Sequence, residues 1–249
     1  MQKAKITVVT VCLNAEDTIV ETIESVLGQT YENLEYIIID GMSTDGTQAI
    51  IHRYEDDKRV KVVFEYDNGL YHAMNKALGI CDGQYIIYMN SGDVFHDKRV
   101  IEDMVPHLKD DLVYGNVVRN KKNGEELEKY HGKYKLMWLL LSGRMMSHQS
   151  LFVKIDIMRR LRFDEQYKIS ADYDFLIRAK KEKYSIQYVD RTVSVINNIE
   201  GISSQIENYE IMRAEDDKSL RQNYTCLYYL IKIPKGLVRF VRRIWERRK

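Results

Sequence analysis

The sequence predicts an α/β fold organised around a parallel sheet, and three observations carry that prediction. Apolar runs rich in β-branched residues recur along the first part of the chain, as buried parallel strands require. Segments with helical apolar spacing separate them, in the rhythm of right-handed strand–helix–strand crossovers. Each strand then runs into a turn crowded with Asp, Asn, Ser, Thr and Gly. Ligands of such sheets bind outside the carboxyl ends of the strands.

Taken in order, ITVVTVCL (Ile6–Leu13) is the first strand, and DTIVETIESVLGQ follows as a helix with Ile19, Ile23, Val26 and Leu27 at helical spacing. LEYIIID (Leu34–Asp40) is the second strand and TDGTQAIIHRYED a short helix. VKVVFEY (Val60–Tyr66) is the third strand, LYHAMNKALGI (Leu70–Ile80) a helix, and QYIIYMN the fourth strand. Past Asp97 the rhythm loosens. DLVYGNVV (Asp111–Val118), SLFVK (Ser150–Lys154) and SIQYVDRTVSVI read as strands, and ADYDFLIRAKKE (Ala171–Glu182) as a helix with Phe175, Leu176 and Ala179 inward. Residues from about Ile206 onward read as helical. The polar turns this pattern brings to one edge hold Thr10–Asn14, Asp40–Asp45, Asp67–Gly69 and Asn90–Asp93.

Bulk composition narrows the class. At 249 residues, 45% hydrophobic and 30% charged, the chain suits one large globular domain with or without an appendage, and not a disordered protein. Cys12, Cys81 and Cys226 are odd in number and far apart, with no paired spacing for zinc or a disulfide framework. They fit a reducing compartment. The chain starts directly with a strand, so no signal peptide is expected, and the run LMWLLL (Leu136–Leu141) is far short of the ~20 residues that span a bilayer.

The net charge of +1 points to no nucleic-acid partner, but it is unevenly spread. From Lys232 to Lys249 eight Lys and Arg face a single acid, Glu246, for a net +7, which leaves −6 on residues 1–231. In LVRFVRRIWERRK, Leu237, Phe240, Val241 and Ile244 form one stripe, and Arg239, Arg242, Arg243 and Glu246 the other. A basic amphipathic helix of this kind, with Trp245 beside it, suits an anionic membrane surface; packing on its own domain is the alternative.

The turn DGMSTDGT, with QTYENLEYIIID before it, VVTVCLNAEDTIVETIESVLGQ upstream, and then DNGLYHAMNKAL, MNSGDVF, SHQSLF and SADYDFLIR in order, resembles the family 2 glycosyltransferases over roughly residues 4–205. The resemblance implies a GT-A fold: a mostly parallel, Rossmann-like sheet flanked by helices, here with a C-terminal helical amphipathic extension. It divides the chain into a glycosyltransferase domain, 1–205, with a nucleotide-binding half (1–97) and an acceptor half (98–205), and a basic helical tail, 206–249. Any one motif is weak; the ordered set is a strong signal.

Residue by residue, the resemblance implies nucleotide contacts at Thr10, Glu16, Asp40, Asp67, Asn75 and Asn90. Lys76 is placed within reach of a phosphate, and His148 near the diphosphate or acceptor. Asp45 reads equally well as a turn or helix-start residue. The family's metal motif holds several acids; here the slot reads Asn90-Ser91-Gly92-Asp93, leaving Asp93 as the sole carboxylate for Mg²⁺ or Mn²⁺. One or two carboxylates can suffice when substrate phosphates and water complete the shell. The family's base is the Asp of a Glu-Asp pair, which here reads Ala171-Asp172. Asp174 lies ~200° further round the helix and is spaced to pair with Arg178. NNIEGISS (Asn197–Ser204) resembles a loop that closes over the site.

The expected activity is transfer, with inversion, from a nucleoside-diphosphate sugar (UDP-linked by family habit) to a glycan or lipid-linked acceptor in cell-surface polysaccharide biosynthesis. The expected location is the cytoplasm, peripheral at the inner membrane face. The rivals are a degenerate nucleotide-sugar binder, suggested by the thinned acid motif, and a nucleotidyltransferase, disfavoured because strand one ends in NAEDTI and not in a Gly-rich basic loop. A dehydrogenase lacks its GxGxxG.

Overall fold

The structure, a computed structural model, describes residues 4–121, 124–129, 146–197 and 206–232. The apolar run 136–141, the loop 198–204 and the amphipathic stretch 237–249 lie outside the described residues.

Four parallel strands form the nucleus: β1 (Ile6–Cys12), β2 (Leu34–Asp40), β3 (Val60–Phe64) and β4 (Tyr85–Tyr88), in the order β3-β2-β1-β4. The connecting helices are α1 (Ile19–Leu27), α2 (Thr47–Ile51) and α3 (Leu70–Lys76). After β4 come the short β5 (Val94–Phe95), α4 (Val100–Met104), β6 (Leu112–Lys121) and β7 (Gly124–Glu128). They are followed by β8 (Leu151–Lys154), α5 (Ile155–Leu161), α6 (Ala171–Lys181), β9 (Ile186–Asn197), α7 (Ile206–Asn223) and α8 (Thr225–Lys232). β8 runs antiparallel to β4 and β6, β6 is parallel to β9, and β5 pairs antiparallel with β9. A parallel nucleus thus grows into a mixed half, and the turns after β1, β2 and β4 stay together at one edge.

The side chains of each central strand alternate between two cores, as strand geometry demands. Val9, Ile37, Ile86 and Tyr88 face a core built with Tyr71 and Met74 of α3 and Phe175 and Leu176 of α6. Val8, Tyr36, Ile38 and Ile87 face one built with Ile19 and Ile23 of α1 and Val100 and Ile101 of α4. At about 25 cal/mol per Å² of apolar area removed from water, burial in these two layers is the main force holding the sheet between its helices.

α7, which follows the boundary expected at residue 205, is hydrogen-bonded to α6 and to the segment before it. Buried Asp174 of α6 accepts from Ser219 Oγ of α7 (2.7 Å), and Tyr167 donates to Gln222 (3.1 Å). Glu215 accepts the backbone N–H groups of Lys168, Ile169 and Ser170 at 2.8, 3.0 and 2.9 Å. These bonds, the buried Ser219–Asp174 contact among them, tie α7 to α6 and to the segment that leads into it. No helix of the described residues is long and apolar enough to cross a membrane.

Candidate active site

A cleft of about 670 Å³ opens at the carboxyl ends of β1 and β4. Glu16, Asp45, Asn90, Asp93, Arg119, His148, Gln149, Asn197 and Asp172 are among its lining residues. The loop Asn90–Asp93 is shaped by α1: Thr22 Oγ1 accepts from the Gly92 N–H (3.0 Å) and donates to the Asp93 carbonyl (2.9 Å). Gly92 takes φ +91°, a left-handed conformation that suits glycine and turns Asp93 back into the cleft floor.

Asp93 is 6% exposed. Its Oδ2 accepts from Gln149 Nε2 (2.7 Å) and its Oδ1 from the Asn197 N–H (3.1 Å). Burial pushes its carboxyl up to about 6, against the lowering pull of the Gln149 hydrogen bond, His148, the Asn197 N–H and Arg119. A buried carboxylate with so little compensation is poised to gain from a cation. Among the described residues no group of three or more His, Cys, Asp and Glu converges on a common point. The donor set therefore fits a single-carboxylate anchor, with the remaining ligands coming from substrate and water.

Asp172, in the first turn of α6, lines the same cleft as Asp93 and is 16% exposed. Its Oδ1 accepts from the Tyr173 N–H (2.9 Å) and lies 3.3 Å from the Tyr71 hydroxyl, which also donates to the Ile169 carbonyl. His148 stands between the two halves of the site. Its Nδ1 is 3.1 Å from Asp172 Oδ2 and its Nε2 is 3.0 Å from Asn90 Nδ2. Asp174 turns into the interior, paired with Arg178 at 2.6 Å, as its spacing from that arginine predicts.

Four of the expected nucleotide or phosphate contacts, Thr10, Asp40, Asn75 and Lys76, have polar atoms hydrogen-bonded within the chain. Thr10 is fully buried between the Tyr36 hydroxyl (2.8 Å) and the Met89 carbonyl (2.7 Å). Asp40 is fully buried too, accepting from the Ser43 N–H (2.8 Å) and Gln48 Nε2 (2.9 Å), so it organises its own turn. Asn75 points to the far side of α3, where its amide holds the backbone of Phe163 and the carboxylate of Glu165. The Lys76 ammonium is committed to the Tyr66 carbonyl and to Glu65.

The other expected residues stay at the cleft or its margin. Glu16 lines it, with Oε2 accepting the Gly46 N–H (2.6 Å), which staples the turn after β1 to the turn after β2. Asp67 lies at the outer margin, its Oδ1 accepting the Gly69 N–H (2.9 Å). Its Oδ2 rests over Gly41, where a Cβ would come within 2.6 Å of it and within 3.4 Å of Leu13. Sequence reasoning gave little weight to Gln149, although its place beside His148 was a usable signal. Arg119 carried none, because only the fold brings it to the cleft, while Tyr71 and Asn197 lie inside the motifs DNGLYHAMNKAL and NNIEGISS without being singled out.

The comparisons agree with this architecture. The model of the family described as "Glycosyl transferase family 2" matches residues 7–169. The chain belongs to that family, and it is a glycosyltransferase. A glycosyltransferase of PGL/p-HBAD biosynthesis from Mycobacterium bovis is 26% identical over 209 residues, 81% of this chain and 80% of the relative. The UDP-Glc:alpha-D-GlcNAc-diphosphoundecaprenol beta-1,3-glucosyltransferase of Escherichia coli is 40% identical over 88 residues, 35% of each chain. The crystal structure of S. aureus TarS in complex with UDP-GlcNAc superposes with a TM-score of 0.71 at 20% identity, covering 88% of this chain and 67% of that one, a likeness of fold.

Proposed function

We propose that this glycosyltransferase moves a sugar, with inversion, from a nucleoside-diphosphate sugar (UDP-linked) to a glycan or lipid-linked acceptor in cell-surface polysaccharide assembly. The observation that carries the reading is that Asp93 and Asp172 line one cleft at the carboxyl ends of β1 and β4, held by the neighbouring side chains Gln149 and His148. The relative that uses a UDP-sugar and a diphosphoundecaprenol acceptor, and the neighbour solved with UDP-GlcNAc, support the donor class.

In this reading the donor's nucleoside lies along the turns after β1 and β2, with Glu16, Asp67 and the open Gly41 surface at its edge. Asp93 would hold a divalent Mg²⁺ or Mn²⁺. When bound, that ion supplies positive charge to the diphosphate. Asp172 is the general base. The acceptor hydroxyl gives its proton to the Asp172 carboxylate as its oxygen attacks the anomeric carbon. The bond from that carbon to the diphosphate oxygen breaks, and its electron pair leaves with the nucleoside diphosphate.

Residues 232–249, with their net +7, are proposed to hold the enzyme on an anionic membrane where a lipid-linked acceptor is presented. Sedimentation with anionic vesicles at low and high salt tests this; equal binding by a chain ending at Ile233 would remove it. The donor reading is tested with a panel of nucleotide sugars, following thermal stabilisation and nucleotide release. A UDP-sugar that stabilises and turns over is the expected outcome, and NMR of the product anomer reports inversion. Stabilisation without turnover on any acceptor would favour the degenerate binder. No stabilisation by any nucleotide sugar would remove both readings.

A further inference from the structure

We propose that Asn90 and His148 are a coupled pair of positioning residues for Asp172, with the amide at position 90 fixing the ring tautomer that presents an N–H to the base. This rests on the reading of Asp172 as the base. The three side chains form one run of contacts: Asn90 Nδ2 is 3.0 Å from His148 Nε2, and His148 Nδ1 is 3.1 Å from Asp172 Oδ2. The ring is 13% exposed and Asp172 16%, so water does not compete freely for either contact.

A neutral imidazole has one N–H and one lone pair. Asp172, ionised as a base must be, offers lone pairs alone, so Nδ1 carries the proton and Nε2 is the acceptor. The partner of Nε2 must then donate, and Asn90 does so with its NH₂ end. The consequence is visible on the same amide: Asn90 Oδ1 is buried with no hydrogen-bond partner among the described residues. A stranded buried carbonyl oxygen is unfavourable. Reversing the amide would pair Oδ1 only if Nε2 bore a proton, so the amide's orientation follows the ring's protonation.

A carboxylate at position 90 could not play this part. It has no N–H to give, and it would draw a proton onto Nε2. The ring would then turn a bare Nδ1 lone pair toward Asp172, or hold two protons between two carboxylates. Either outcome disturbs the base. This gives a reason for an amide at the first position of Asn90-Ser91-Gly92-Asp93, where the resemblance leads one to expect an acid.

The test combines kinetics with ¹⁵N NMR of the histidine rings in the full chain, the His148 signals being assigned by their loss in His148→Ala. The wild-type ring is expected to carry its proton on Nδ1 and leave Nε2 bare, and Asn90→Ala to give a tautomer mixture. His148→Ala is expected to lower kcat about 10–100-fold, the scale for removing an orienting partner, with the UDP dissociation constant nearly unchanged. His148→Asn, whose NH₂ can occupy the Nδ1 position, should recover much of the loss, and Asn90→Asp should lower kcat even at saturating Mn²⁺. In Asp172→Asn, adding His148→Ala should cost little more. A wild-type ring protonated on Nε2, or Asn90→Asp at the wild-type rate, overturns the proposal. If Asp172→Asn is inactive while His148→Ala and His148→Asn turn over normally, this proposal alone falls; if Asp172→Asn transfers at the wild-type rate, the base reading itself has failed.

Discussion

The Asp93 carboxylate and the Gln149 amide meet at 2.7 Å on the cleft floor, and that hydrogen bond does not offset the burial of the charge. The Asp93 carboxyl is pushed up to about 6 from an ordinary 3.8. A carboxyl raised on folding adds stability below its unfolded value and loses it as pH rises through the folded value. Above pH ~6 the ionised group therefore destabilises the fold by about 3 kcal/mol, at 1.36 kcal/mol per pKa unit. Asp93→Asn is expected to raise the melting temperature at pH 7.5 and to change it little at pH 4, while removing metal-dependent nucleotide binding. Thermal unfolding at the two pH values and a Mn²⁺ titration with UDP check this. A variant destabilised at pH 7.5 would contradict the electrostatic account.

Asp172 and Asp174, two residues apart on α6, are expected to fail in opposite ways. Asp172→Asn should lower transfer by about 10²–10⁴, the value of one positioned base, with UDP binding and melting temperature nearly intact. Asp174 is buried against Arg178, Ser219 and Asn223. Asp174→Asn should cost about 3 kcal/mol of stability by leaving a buried partner uncompensated. Denaturant titration alongside turnover separates the two, and an active Asp172→Asn would reassign the base.

Position 41 is expected to control Asp67. A Cβ at Gly41 would stand 2.6 Å from Asp67 Oδ2, so Gly41→Ala must push that carboxylate aside. If Asp67 contacts the nucleoside, the loss of one charged hydrogen bond, about 1.5–3 kcal/mol, weakens UDP binding roughly tenfold or more. Calorimetry on Gly41→Ala and Asp67→Asn should give similar losses. Unchanged affinity in both would take Asp67 out of the site.

Glu215 of α7 collects three backbone N–H groups from the segment that leads into Asp172. Glu215→Ala is expected to cost about 2–3 kcal/mol of stability, the scale for orphaning donors that served a charged acceptor. It should also lower kcat more than it weakens UDP binding, because the segment it holds carries the base. A kcat equal to wild type at a temperature where the variant stays folded would show that α7 supports the fold alone.

The sequence by itself determined the strands and helices of the parallel half and the edge at which the site forms, while β5, β7, α4 and α5 did not stand out from it. Apolar period and β-branched content mark β1, β2 and β4 because burial on both faces of a parallel strand leaves no other composition workable. The turns behind them follow, Asn90 and Asp93 among them, while His148 and Asp172 are expected at the site through the motifs of the family resemblance. What the tertiary structure alone decided is which polar side chain in those turns is spare. The family resemblance marks Asp40 and Asn75 as contacts, and in the fold Ser43 and Gln48 bond the one and the Phe163 backbone the other. Those partners lie as near as three residues and as far as 88, so no local pattern distinguishes them. The same holds for the run of contacts from Asn90 through His148 to Asp172 and for the clamp of α7 on the base segment. A buried polar atom must be satisfied by whatever the fold brings within about 3 Å, and that is a property of packing, not of spacing along the chain.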